Sequence, residues 1–231
     1  MSFFKSSKKS EDVKQGGSNH ITTSGLYPVM VLAPIVSVSK NGSTSIDMYV
    51  EHKGQKQVIY GNLRITNNDG SENKIGSKIF NQLMIISGKD EVSDPIEAEL
   101  PIGKKEAMKE AAVLEDLADI PVLMRIQMEY SVYNGKVQEK KVIKGFFRES
   151  DKASAEEIVN ETDPGEALEK EMKYVDNVTY KDDLTPESIQ AWISGGRKDG
   201  VPAGSSAGSS SEPAKKPAFG KRRFGADKDK E

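Results

Sequence analysis

The chain has 231 residues, and its 33 basic against 36 acidic side chains leave a net charge of −3, which by itself favours no class of partner. It contains no cysteine and only two histidines, His20 and His52. Disulfides, thiolate metal sites, His-based catalytic triads and histidine zinc clusters are therefore excluded.

The N-terminal part predicts a flexible arm followed by three strands. Residues 1–20 are rich in Ser, Lys and Gly and contain little that could be buried. Apolar residues then recur in three runs, at 26–38, 46–50 and 58–65, and a glycine-containing turn separates each run from the next. We expect these strands to form a meander.

Two helices are predicted next. Apolar residues recur at helical spacing from Ile79 to Ile86, between Ser77, which can cap a helix, and Gly88, which can end one. Residues 89–103 contain two prolines and predict a loop. Residues 104–118 are strong helix formers throughout and predict the second helix.

Residues 120–148 predict a long β-hairpin. Asn134-Gly135 lies between two β-rich runs, and both central positions of a type I′ turn require a positive φ. This turn sets the register of the two strands. The expected pairs are, on an apolar face, Val132 with Val137, Ile126 with Ile143 and Val122 with Phe147, and, on a polar face, Arg125 with Lys144 and Glu129 with Lys140. Two cations opposite each other repel, which favours an anionic ligand there, although a solvated outer face would explain the same pattern.

Three strands, a helix and two further strands follow the element order of the OB-fold, a five-stranded barrel with a helix between strands 3 and 4. We therefore expect a mainly β domain with short helices, and an OB-fold barrel over residues 21–150. A generic small β-barrel or sandwich is the alternative fold.

The chain changes character after Arg148. Residues 149–194 carry 13 acidic against 4 basic side chains and contain three short segments typical of helices. We expect an acidic helical extension over residues 151–194 that packs on the barrel or on a partner. Residues 195–231 predict a disordered Gly/Ser linker and a basic, Phe-containing tail.

No catalytic signature occurs in the chain. Neither phosphate-loop pattern, GxxxxGK[ST] or GxGxxG, is present. Asp90, Glu91 and Asp94 could hold a magnesium ion, as a metal-dependent nuclease would require, but such acidic runs are more often solvated loops. No apolar run is long enough to span a membrane, and the N-terminus lacks the apolar segment of a secretory signal. We predict a cytoplasmic protein that is not an enzyme, does not contact membranes and uses neither cofactor nor metal ion.

The outward faces of the predicted strands favour single-stranded nucleic acid as the ligand. Sequence-independent binding requires exposed rings on which bases stack and cations that pair with phosphates. The stacking candidates are Tyr49, Tyr60, Tyr133 and Phe146, and the phosphate-binding candidates are Arg64, Arg125, Lys140, Lys144 and Arg148. A tyrosine taken alone is more often a half-buried packing residue, so the prediction depends on the whole set.

The basic tail is a second candidate site with three interpretations. It could hold phosphates non-specifically, it could dock partner proteins, or it could simply keep the chain soluble. The residues concerned are Lys215, Lys216, Phe219, Lys221, Arg222, Arg223 and Phe224.

Four features of the sequence occur together: Gly25-Leu26-Tyr27-Pro28-Val29 at the first strand, the run from Leu63 through Ile75 to Leu83, the Asn134-Gly135 hairpin, and the acidic, linker-tethered C-terminus. They carry a resemblance to the single-stranded DNA-binding proteins encoded by bacteriophages. It covers the fold over about residues 20–150 and the layout of the tail. It implies an OB-fold that coats single-stranded DNA in phage replication, recombination and repair in the host cytoplasm. It also implies a C-terminus that recruits polymerase, helicase or primase, and it is compatible with a homo-oligomer.

The C-terminus departs from that resemblance. Such proteins usually end in an acidic tip closed by an aromatic residue, whereas here the acidic residues concentrate in 149–194, and Phe219 and Phe224 lie among basic residues. The alternative function is that of a protein-interaction accessory factor in a replication or transcription complex. Salt dependence separates the two, because phosphate contacts make affinity fall steeply as salt rises.

Overall fold

A computed structural model describes residues 19–102 and 106–197 of the protein. The predicted Gly/Ser linker beyond Arg197, the basic tail and almost all of the predicted N-terminal arm lie outside the described residues. The described part is mainly β, with one antiparallel sheet and a few helices, which confirms the expected fold class at this level.

Within the described ranges the sheet contains eight strands. In chain order they are β1 (Gly25–Val38), β2 (Thr44–His52), β3 (Gln55–Arg64), β4 (Ile96–Leu100), β5 (Lys109–Val113), β6 (Ile120–Tyr133), β7 (Lys136–Arg148) and β8 (Thr179–Tyr180). The helices are α1 (Lys74–Ile86), α2 (Ala155–Asn160), α3 (Glu166–Met172) and α4 (Pro186–Ser194), and a 3₁₀ turn spans Glu115–Leu117. No helix in the described ranges is long and apolar enough to cross a membrane.

The predicted meander is present with β2 at its centre, and β1 joins it to the rest of the sheet. β1 pairs with β2 from Met30 to Val38, while its N-terminal half, from Gly25 to Val31, pairs with β6. β3 also lies beside β7, where Lys141 Nζ donates a hydrogen bond to Gln57 Oε1 at 3.3 Å. No backbone ladder joins these two strands in the described part of the chain, so the sheet is open there.

One hydrophobic core joins the sheet, α1 and the acidic extension. The inward-facing side chains of the long strands pack against Leu83 and Ile86 of α1, and Leu184 and Ile189 of the extension pack in the same cluster. The extension is therefore part of the folded domain, as expected of helices with too little apolar surface to stand alone. β8 continues this attachment by pairing in parallel with β6.

Helix α1 lies between β3 and the next strands, as predicted, but its cap is a different residue. Asn73 Oδ1, rather than Ser77, accepts the capping hydrogen bond, from Gly76 N–H at 3.1 Å. Because Asn73 caps, the helix begins three residues before the expected cap. Gly76 is buried where α1 crosses β3, and a Cβ added to it would lie 1.9 Å from the Arg64 carbonyl oxygen.

The loop predicted over residues 89–103 is present only as far as Pro95, and the helix predicted over residues 104–118 is wrong. The chain there forms the β4–β5 hairpin, paired from Ile96–Val113 to Leu100–Lys109, followed by the 3₁₀ turn. β5 also pairs with β1, at Ile35 and Val36. Sheet pairing and burial of small apolar side chains outweigh the intrinsic helix propensity of this segment, because propensity is a weak local preference.

The central hairpin is confirmed over its turn-proximal half and shifted by one residue beyond it. Val132 pairs with Val137, Glu129 with Lys140 and Ile126 with Ile143, as expected. A β-bulge then places Lys144 as an extra residue on β7. The remaining predicted pairs are wrong, since Arg125 lies opposite Gly145, Val122 opposite Arg148 and Leu123 opposite Phe147.

Candidate nucleic-acid interface

Five of the nine predicted DNA-binding side chains are exposed. Tyr60 and Tyr133 are 61% and 68% exposed. The exposed cations are Arg64, Lys140 and Lys144.

The exposed residues of β3 and β7 lie on neighbouring outward rows. Ile59 and Leu63 belong to the core, so Tyr60 and Arg64 point to the opposite face of β3. The Gln57–Lys141 hydrogen bond joins the inward rows of the two strands. The outward row of β3 therefore lies beside the outward row of β7, which carries Lys140 and the bulged Lys144.

Tyr133 stands at the end of the sheet because of the turn beside it. Asn134 and Gly135 have φ values of 51° and 70°, the backbone that a type I′ turn requires. The tight turn ends the ladder at the Tyr133–Lys136 pair and leaves the tyrosine ring in solvent.

The exposure expected of Tyr49 is wrong. Tyr49 is only 5% exposed and belongs to a second apolar cluster with Ala33, Ile35 and Val113, which the β4–β5 hairpin helps to build. Its hydroxyl is buried without a hydrogen-bond partner among the described residues. Burial raises the pKa of Tyr49, and the nearby acids Glu106 and Glu51 add to the rise. The unpredicted hairpin thus removes Tyr49 from any stacking surface.

The exposure expected of Phe146 is wrong for a different reason. Phe146 is 1% exposed and lies in the main core. The bulge at Lys144 reverses the alternation of β7, so a residue expected on the outer face turns inward. Phe146 therefore packs the core and presents no ring to a ligand.

Arg125 is also buried, beneath the acidic extension. It is 7% exposed, and its Nη1 forms an ion pair with the Glu171 carboxylate of α3. Its Nη2 donates a hydrogen bond to the Tyr174 carbonyl oxygen at 2.9 Å. Arg125 and Lys144 do not form the expected cross-strand pair, because Gly145 lies opposite Arg125, and the charge of Arg125 is matched by Glu171 from a distant part of the chain.

Arg148 is half-exposed, but its charge is matched by a local acid. Its Nε and Nη2 donate to the two Asp151 carboxylate oxygens at 2.9 and 2.6 Å. The hydrogen bonds from Arg148 contribute most to lowering the pKa of Asp151 to about 2. A two-point pair of this kind leaves Arg148 less available to a phosphate than an unpaired lysine.

Two lysines near this surface were not predicted. Lys181 of the extension forms a 2.8 Å ion pair with Glu129, the residue opposite Lys140 in the ladder. Because Lys181 engages the Glu129 carboxylate, Lys140 has no ion pair with Glu129 among the described residues. Lys141 is half-buried, and burial lowers its pKa. No local sequence pattern indicates either position, since both depend on contacts between distant segments.

The described residues contain no group of three or more His, Cys, Asp or Glu side chains positioned to hold a metal ion. The predicted tail site, from Lys215 to Phe224, lies outside the described ranges. Comparison with known protein families and with curated proteins yields no match for this chain.

Proposed function

We propose that this protein binds single-stranded DNA without sequence preference and is not an enzyme. The observation that carries the proposal is the exposed face of the neighbouring strands β3 and β7, which carries Tyr60 and Arg64 on β3 and Lys140 and Lys144 on β7, with Tyr133 at the end of the hairpin. The ion pairs found among the described residues use none of these three cations. Rings for stacking and unpaired cations for phosphates are the two components that such binding requires.

The strand pairing supports an OB-type fold as part of this proposal. β1 is shared between β2 and β6, α1 follows β3, and β7 lies beside β3. In this assignment β6 and β7 are the fourth and fifth barrel strands, and the β4–β5 hairpin is an insertion between α1 and β6. OB-folds commonly bind oligonucleotides on such a strand face and its adjoining loops.

The proposed biological role follows the resemblance to phage single-stranded DNA-binding proteins. The protein would coat and protect DNA during phage replication, recombination and repair in the host cytoplasm. Its tail, with Phe219, Phe224 and the basic residues Lys221, Arg222 and Arg223, would recruit replication proteins such as polymerase, helicase or primase.

One observation favours the alternative, a protein-interaction accessory factor. Ile96 and Met108 are large apolar side chains exposed on or beside the β4–β5 hairpin. They lie at opposite ends of the hairpin, because Ile96 pairs with Val113 and Met108 directly precedes the Leu100–Lys109 pair. A protein partner that lies along the hairpin would cover both side chains.

The test is fluorescence anisotropy of the full-length protein on a labelled oligo-dT of roughly 30 nucleotides, long enough for several OB-type sites. Titrations at about 50 and 200 mM salt, with matching duplex as competitor, report phosphate contacts and strand preference. Three phosphate contacts predict a slope of about −2 in log affinity against log salt. Duplex should fail to displace the oligonucleotide.

Point variants locate the surface. Tyr60→Ala and Tyr133→Ala should each weaken binding by about fivefold to a hundredfold, since one stacked base contributes about 1–3 kcal/mol. Lys140→Gln should make the salt slope shallower. The matched controls are Tyr174→Ala and Lys173→Gln, which change exposed residues just after α3 and should leave affinity unchanged. No binding at the lower salt would overturn the proposal and favour the accessory-factor function.

A further inference from the structure

A cavity of about 660 Å³ lies where α1, the β7 bulge and helices α2 and α3 meet. Its volume is within the range of small-molecule sites. It opens beside Lys144, at one side of the proposed DNA-binding surface, but it is formed by different elements. The acidic extension supplies one wall, so the cavity exists only in the folded full domain.

The charges around the cavity favour an anion. Four cations line it against two acids, and Glu166, which does not line the cavity, pairs with one of the four, so the local charge is +1. The cations are Lys78, Arg125, Lys144 and Lys170, and the acids are Glu156 and Glu171. Lys170 pairs with Glu166, and Arg125 with Glu171, so Lys78 and Lys144 are the cations left without an acidic partner among the described residues.

Arg125 also contributes an unused hydrogen-bond donor. Its Nη1 and Nη2 are engaged by Glu171 and Tyr174, but its Nε is buried without a partner among the described residues. The whole side chain is more than nine-tenths buried and lines the cavity. A buried, unpaired donor on a cation is costly, and a ligand acceptor within the cavity would satisfy it.

Gln82 contributes an unused acceptor to the same cavity. Its Oε1 is buried without a hydrogen-bond partner among the described residues. Gly145, at the bulge, faces this oxygen, and a Cβ at that position would lie only 3.2 Å from it. Glycine therefore leaves the amide in place, and the cavity presents one neutral acceptor and one cationic donor.

We propose that this cavity binds one nucleotide. The phosphate would lie near Lys78 and Lys144, and the base would enter between apolar side chains that include Ile85 and Val159. Its polar edge would donate to Gln82 Oε1 and accept from Arg125 Nε–H. Every nucleobase carries both an acceptor and, in its Watson–Crick edge, an N–H donor. A phosphate ion alone accounts for the lysines but for neither the apolar wall nor the neutral acceptor.

This inference rests on the proposed function, because a single strand passing over Lys144 could supply the nucleotide. Free nucleoside monophosphate has the same chemistry and is the other source. The test is a nuclear magnetic resonance titration of the ¹⁵N-labelled full-length protein, which reads the Arg125 Nε–Hε signal and the Gly145 amide signal. The probes are the four deoxynucleoside monophosphates, deoxyribose 5-phosphate, inorganic phosphate, oligo-dT and an abasic oligonucleotide of equal length.

Saturable shifts of both signals with a nucleoside monophosphate, and weaker ones with deoxyribose 5-phosphate or inorganic phosphate, are expected. Gln82→Met and Lys78→Gln should each weaken this binding by about threefold to tenfold, the usual effect of one hydrogen bond or one charge contact. Lys74→Gln is the matched control, because Lys74 lies one turn away on α1 and does not line the cavity. Neither cavity variant removes a core side chain, so folding is preserved.

The outcomes separate this inference from the proposed function. Shifts with oligo-dT but not with the abasic strand identify DNA as the source, and shifts with monophosphates alone identify free nucleotide. Either result supports the site.

If oligo-dT binds by anisotropy while no probe shifts either of the two signals, the inference is overturned and the proposed function stands. If inorganic phosphate binds as tightly as the nucleotides, the cavity is an anion site and the inference is overturned. If nucleotides shift the signals but oligo-dT never binds, the proposed function is overturned, and the inference that the cavity binds a nucleotide is supported.

Discussion

A single buried carboxylate, that of Glu157, holds the two short helices of the acidic extension together. Its Oε2 accepts from Ser154 N–H at 2.7 Å, which completes the capping box of α2, and its Oε1 accepts from Ala167 N–H at 2.8 Å, at the start of α3. α3 in turn carries Glu171 to Arg125. Replacing Glu157 by Gln removes the charge and leaves one oxygen to serve two donors.

The size of the effect follows from the ionisation of Glu157. Burial alone would raise the pKa of Glu157, but the hydrogen bonds from Ala167 and Ser154 outweigh burial and lower it to about 2 from its ordinary 4.5. This depression corresponds to about 3 kcal/mol of stability at pH 7. Because the folded-state pKa is the lower one, the contribution is complete above pH 4.5 and is lost as the pH falls towards 2. At about pH 3.5, roughly 1.4 kcal/mol of it is gone.

We expect Glu157→Gln to lower the free energy of unfolding by about 2–3 kcal/mol at pH 7, and by about 1–1.5 kcal/mol less than that at pH 3.5. Urea unfolding measures both values, followed by the fluorescence of Trp192, the single tryptophan, which packs against the core. Glu156→Gln, an exposed neighbour, is the control and should change stability by less than about 0.5 kcal/mol. An equal loss at both pH values, or a loss no larger than the control, would refute the reasoning.

Two further substitutions test the packing. Gly76→Ala places a Cβ 1.9 Å from the Arg64 carbonyl oxygen, so α1 must move away from β3. Urea unfolding should show that the free energy of unfolding falls by about 3 kcal/mol or more. The control Ile75→Ala, at an exposed neighbouring residue, should lower it by less than about 0.5 kcal/mol. Equal losses for the two variants would contradict the close contact at Gly76. Tyr49→Phe removes a buried hydroxyl that has no hydrogen-bond partner in the described part of the chain. The free energy of unfolding should be unchanged or about 1 kcal/mol higher, and DNA affinity should be unchanged. Weaker DNA binding would show instead that Tyr49 belongs to the DNA-binding surface.

The bulge at Lys144 marks the limit of prediction within the central hairpin. Near the turn, the type I′ geometry requires positive φ at two residues, and Asn134 and Gly135 are the residue types that adopt it readily. The strand pairs formed by β6 residues from Val132 to Ile126 could therefore be predicted. A bulge leaves no comparable local signal, because period-two alternation assumes one residue per position. One inserted residue therefore moved Phe146 from the expected interface into the core.

The amino-acid sequence by itself determined the elements whose signals are local: the three-stranded meander, the helix after it, the hairpin turn and the separate acidic segment. Tertiary structure decided which polar side chains remain exposed. Tyr49 became buried because a hairpin formed where helix formers predicted a helix, and Arg125 because Glu171 reached it from the extension. Burial depends on contacts between segments far apart in the chain, and a pattern read along one segment carries no information about which other segment will cover it.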